Sequence, residues 1–130
     1  MNGSVFSYIN TVEIFNPRSG RSCKIGDLPV GTSSLTLCGN LACGGFNGQQ
    51  TSCSRFDRAG TFTALSVTLK HSRERHLCWQ LQSREILLMG GLNSGTTTER
   101  LAADGSSSTA DFDLPYEITY VLNFKINNNG

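Results

Sequence analysis

Leu41-Ala42-Cys43-Gly44-Gly45-Phe46-Asn47-Gly48 returns 46 residues later, residue type for residue type, as Leu87-Leu88-Met89-Gly90-Gly91-Leu92-Asn93-Ser94-Gly95. An apolar run, two glycines, an apolar residue, Asn and a small turn residue follow one another in the same order. Self-similarity at a fixed period of about 20–50 residues is the signature of repeat architectures, whose units bury their faces on one another. Gly44, Gly45, Gly90 and Gly91 read as structural positions, since a residue without Cβ tolerates positive φ and close backbone approach. Neither pair precedes Lys-Ser/Thr or a helix that could hold an anion, so neither reads as a phosphate cradle.

The repetition extends outward from the glycines. Val12-Glu13-Ile14-Phe15-Asn16-Pro17-Arg18-Ser19-Gly20 leads through Cys23 to Asp27-Leu28-Pro29. Cys53-Ser54-Arg55-Phe56-Asp57-Arg58-Ala59-Gly60 leads through Phe62 to Leu65, and Glu99-Arg100-Leu101-Ala102-Ala103-Asp104-Gly105 leads through Phe112 to Leu114-Pro115. Alternating apolar and polar residues predict half-buried strands, and the Asn/Asp/Gly turns predict hairpins. One period is then a four-stranded antiparallel meander: an apolar strand ending in Gly-Gly, a polar strand, and a hairpin through the Asp/Gly turn. Strands of about five residues leave about six for each connection, an ordinary length. Helices fit poorly. The stretch from Leu69 to Gln82 lacks a three-to-four spacing and reads as a loop entering a strand that includes Leu77, Cys78 and Trp79.

Over roughly residues 11–115 this pattern resembles the kelch repeat, one blade of a β-propeller. That family carries an apolar run ending in Gly-Gly, a later aromatic ahead of a Leu-Pro-like turn, and an Arg-x-x-His pair before the next blade. Cys23, Phe62 and Phe112 fall at the late aromatic position, Arg73-Glu74-Arg75-His76 matches Arg-x-x-His, and Leu28-Pro29 and Leu114-Pro115 match the turn. No Trp follows either diglycine at the family's place, and Gly31-Thr32-Ser33-Ser34-Leu35 lacks Arg-x-x-His. The resemblance implies an all-β fold, a partial kelch-type propeller of four-stranded antiparallel blades, with repeat units at roughly 11–45, 46–91 and 92–115. It also implies that Arg73 and His76 hydrogen-bond loop carbonyls on the connection into a strand.

Length limits that expectation. The 130 residues hold about 2.8 periods, whereas propellers close with about four to eight blades. An open stack leaves apolar faces uncovered, which points to further blades from a longer chain or from self-association. Residues 116–130 contain one alternating stretch, Glu117 to Ile126, without a third diglycine. They read as a divergent tail that caps the open face or as the start of a truncated blade; the truncated or partial propeller is the preferred reading. A formal net charge of +1 gives no electrostatic case for nucleic acid or an anionic membrane. No apolar run approaches the roughly 20 residues that span a bilayer. Met1 to Thr11 has neither a basic head nor an apolar h-region, so no signal peptide is visible.

Five cysteines, Cys23, Cys38, Cys43, Cys53 and Cys78, leave at least one unpaired within a monomer. Cys43 and Cys53 flank the diglycine turn and could oppose each other on adjacent strands, close enough for a disulfide. A bridge implies an oxidising compartment and leaves an extracellular origin open; buried free thiols acting as small apolar residues are the alternative. The cysteine spacings lack the short pairs of zinc sites. His71 and His76 stand near Ser72, Arg73 and Arg75, yet neither a Gly-x-Ser-x-Gly elbow nor a Cys/His signature accompanies them. The leading functional expectation is a non-catalytic protein-binding module that needs no cofactor and meets a protein partner through inter-strand loops. The candidate contact residues are Asn47 and Gln49 with their neighbours Gly48 and Gln50, Arg73 to Arg75, and Asn93, Ser94 and Thr96. The alternative is a fragment of a copper oxidase similar to galactose oxidase, whose central domain resembles kelch propellers. Such a copper site needs several converging His, Tyr and Cys ligands, and the chain has two His and three Tyr.

Overall fold

The computed structural model describes residues 10–46, 51–57, 59–92 and 94–118. Within them every regular element is a β-strand. An N-terminal hairpin pairs β1 (Thr11–Asn16) with β2 (Arg21–Asp27). A middle sheet follows, formed in chain order by β3 (Thr36–Cys38), β4 (Leu41–Cys43), β5 (Ser52–Phe56) and β6 (Phe62–Thr68). A distal sheet repeats the order with β7 (Leu77–Gln80), β8 (Ile86–Met89), β9 (Thr98–Leu101) and β10 (Ser108–Ala110). All pairings are antiparallel. The predicted meander is present: each diglycine directly follows an apolar strand, and β7 contains Leu77, Cys78 and Trp79. The sheets span 36–68 and 77–110, so each diglycine marks the junction between the second and third strands of a sheet.

The hairpin turns repeat one device. A side-chain oxygen at the start of the turn accepts a backbone amide, as is usual for Asn and Asp in turns. Asn16 Oδ1 takes the Arg18 amide, Asp57 Oδ1 the Thr61 amide and Asp104 Oδ1 the Ser106 amide. By this correspondence β1 and β2 match the last two strands of each later sheet.

Two apolar clusters join these layers. Leu41, Cys43, Cys53, Val67 and Leu69 of the middle sheet and its exit pack with Ile86, Leu88 and Leu101 of the distal sheet. On the other side Ala42 and Phe62 pack with Leu28, Val12 and Leu35. Successive residues of a strand point to opposite faces, so β4 is buried on both sides while β8 buries only Ile86 and Leu88. Leu87 and Met89, on the other face of β8, are half-buried.

Candidate functional site

The connections β4–β5, β6–β7 and β8–β9 gather at one edge of the molecule, around the two diglycines. Gly44 and Gly45 have φ of 71° and 105°, and Gly90 and Gly91 have 63° and 103°. Both pairs lie in the left-handed region that favours glycine. The space is as demanding as the dihedral. A Cβ on Gly44 would overlap the Arg73 carbonyl oxygen, and one on Gly90 would lie 2.5 Å from the Ile118 carbonyl oxygen.

A crossing segment is hydrogen-bonded to each pair in the same way. The Gly45 amide donates to Arg73 O at 2.8 Å, and the Gly91 amide to Ile118 O at 2.6 Å. The next amide of each loop donates to the segment that enters the sheet: Phe46 N to Ser33 O at 2.7 Å, and Leu92 N to Glu74 O at 2.9 Å. Ser33 and Glu74 are therefore equivalent positions, and the residues after them, Ser34 and Arg75, both adopt positive φ, 59° and 53°. One residue earlier, Thr32 stands where the distal sheet has Arg73.

Arg73 is the centre of the distal arrangement. Its side chain is 0% exposed and its Nε donates to Glu99 Oε1 at 2.7 Å; Glu99 is also 0% exposed. The Nη1 group donates to Gly90 O at 2.7 Å and Thr97 O at 3.0 Å, and Nη2 to Thr97 Oγ1 at 3.0 Å. Glu99 accepts in addition the Lys70 amide at 2.7 Å, the Ser108 hydroxyl at 2.6 Å and, more weakly, the His71 amide at 3.4 Å. A buried ion pair is tolerated when its remaining donors and acceptors are also satisfied, and here they nearly all are. Burial pushes the Glu99 carboxyl up. The Ser108 and Arg73 hydrogen bonds, the Lys70 amide and the guanidinium charge outweigh it and hold the group below the ordinary glutamate range. Ser94 completes the lock, its hydroxyl donating to Ser72 O.

These contacts correct part of the sequence reading. Arg73 and Ser94 do not offer contact surface: Arg73 is fully enclosed and Ser94 is 5% exposed, because both are used to tie the β8–β9 loop to the β6–β7 loop. Glu74 is likewise buried. Arg75 is exposed, with its amide bonded to Ser34 O. Asn47, Gln49 and Asn93 lie outside the described residues. Of the Arg-x-x-His pair, Arg73 does hydrogen-bond loop carbonyls. His76 does not: neither ring nitrogen has a partner among the described residues, although the residue is 1% exposed. Burial, reinforced by the Arg73 charge and opposed by Glu99, pulls the imidazole down to about 4, so it is neutral at pH 7.

Three further features belong to this region. Cys43 and Cys53, directly opposite on β4 and β5 with Cα atoms 4.2 Å apart, are joined in a disulfide. Phe46 follows the first diglycine and is 45% exposed. It is not among the contact residues expected from the sequence. A depression lined by Leu28, Pro29, Val30, Leu35 and Ala42 has a volume of about 20 Å³, room for roughly one water. Among the described residues no three His, Cys, Asp or Glu side chains gather where they could hold a metal ion. The chain matches no protein-family model and no curated protein.

Proposed function

We propose that the chain is a segment of a kelch-type β-propeller and a non-catalytic protein-binding module, meeting its partner through the loops around the diglycines. The propeller part rests on sheets of identical strand order that stack face to face in chain order. It is supported by the contrast between β4, buried on both sides, and β8, whose outward Leu87 and Met89 are left half-covered. A further blade on that face would complete their burial.

The observation that carries the binding part is the way three loops are locked together beneath exposed side chains of two kinds common in interfaces. Phe46 and Arg75 are anchored through adjacent residues, Ser33 and Ser34. Aromatic and Arg side chains are enriched among interface hot spots, and residues whose backbone is already hydrogen-bonded in place lose less entropy on binding. Photo-crosslinking tests the proposal, with a photoreactive residue at position 46, 75 or, as control, exposed Ser83 in the β7–β8 turn. Positions 46 and 75 should capture the same protein from a cell extract and position 83 should not. Equal capture at all three positions, or none at 46 and 75, would remove this face from the proposal.

A further inference from the structure

β3 and β7, each an edge strand of its sheet, run side by side without sharing a ladder. Three contacts step along the seam in register. Thr36 Oγ1 donates to His76 O at 2.9 Å, Cys78 Sγ donates to Leu37 O at 3.7 Å, and a Cβ on Gly39 would lie 3.0 Å from the Gln80 amide nitrogen. This register brings Cys38, between Leu37 and Gly39, beside Cys78. Both are free and half-exposed, and both pack against the edge of the main core. Cys43 and Cys53, by contrast, are each 2% exposed and already bonded.

We propose that Cys38 and Cys78 form a thiol–disulfide exchange site that low-molecular-weight disulfides such as glutathione disulfide oxidise to a second bridge, fastening the middle sheet to the distal sheet. Cys38 as thiolate attacks one sulfur of glutathione disulfide. The glutathione S–S bond breaks, a mixed disulfide forms at Cys38, and one glutathione thiolate leaves. Cys78 then gives up its proton and attacks the Cys38 sulfur, expelling the second glutathione. Two protein thiols are oxidised by two electrons, one glutathione disulfide is reduced to two glutathiones, and the two thiol protons end on them. Cys38 is the better attacker, because a hydrogen bond from Cys78, its S–H turned from Leu37 O to the thiolate, lowers its pKa against the opposing effect of burial. That same hydrogen bond, together with burial, raises the pKa of Cys78. The thiolate is the nucleophile in exchange.

The test is peptide mapping after equilibration in glutathione buffers of graded oxidised fraction, with free thiols trapped by alkylation. Trypsin places Cys38, Cys43 and Cys53 in residues 25–55, Cys78 in 76–84 and Cys23 in 22–24. A cross-linked pair of 25–55 with 76–84 should appear as the buffer becomes oxidising, and should persist in C23S. It should vanish in C38S, where Cys78 stays alkylatable or carries glutathione. The oxidised protein should also unfold a few degrees higher than the reduced-thiol form, a gain absent from C38S/C78S. Cys38 and Cys78 that stay alkylated at every ratio, that carry separate glutathiones, or that pair with Cys23 would overturn the proposal.

Discussion

In the middle sheet the strands flanking the diglycine are joined by Cys43–Cys53, whereas the matching rung of the distal sheet holds Met89 opposite Thr98. One rung further, the middle sheet has Ala42 opposite Ser54 and the distal sheet has Leu88 opposite Glu99. Thr32 and Ser54 thus occupy the places of Arg73 and Glu99. The backbone frame is the same in both: two glycines at positive φ, one crossing carbonyl on the second glycine, one positive-φ residue in the entering segment. Backbone geometry therefore defines the repeat, and the fastening beneath it is exchangeable, covalent in one sheet and ionic in the other.

The largest effect should come from breaking the ion pair. Arg73→Met leaves the Glu99 carboxylate buried without its cation and should cost about 3–5 kcal/mol, read as a lowered denaturation midpoint in urea. Arg73→Met with Glu99→Gln should cost less than the sum of the two single changes, since no unpaired charge remains. Additive losses would show that the two groups act separately.

Acid should act next, at the seam between the sheets. His76 is held at about 4 in the folded chain against 6.5 ordinarily. Between those values the unfolded chain binds the extra proton, so stability falls as pH drops from about 6.5 to about 4. The loss is on the order of 3 kcal/mol. Glu99, held below its ordinary range, adds a loss in the same direction at lower pH. His76→Leu should flatten the upper part of the profile; an unchanged slope between pH 6.5 and 4 would exclude His76 as its source. The smallest effect belongs to the disulfide. Its ten-residue separation corresponds to about 2–3 kcal/mol by the loop-entropy relation, measurable as the stability difference between the oxidised protein and C43A/C53A.

The parts of this architecture that depend on local backbone chemistry were legible in the sequence. Gly-Gly after an apolar run, Asp or Asn opening a hairpin, and cysteines on either side of one turn each point to a conformation within a few residues. The fastening of the distal sheet was not legible. Arg73 sits in a loop, where exposure is the default, and its partner lies 26 residues away on a strand. A signal did exist: Glu99 and Arg100 are adjacent in an alternating strand, so one of the two charges must face inward and find a counter-charge. The equivalence of Thr32 with Arg73 is hidden because those residues are spaced by 41 while the diglycines are spaced by 46. Phe46, read from the sequence only as the apolar residue after the first diglycine, stands exposed on the loop face.

Segment-resolved amide hydrogen exchange on the oxidised protein, on C43A/C53A and on Glu99→Gln tests the comparison most directly. Loss of the disulfide should speed exchange across 41–56 and leave 86–101 protected. Glu99→Gln should speed exchange at Lys70, His71 and 97–101 and leave 41–43 and 52–56 protected. If both variants loosen the same amides to the same degree, the two sheets are not separately fastened and the account is wrong.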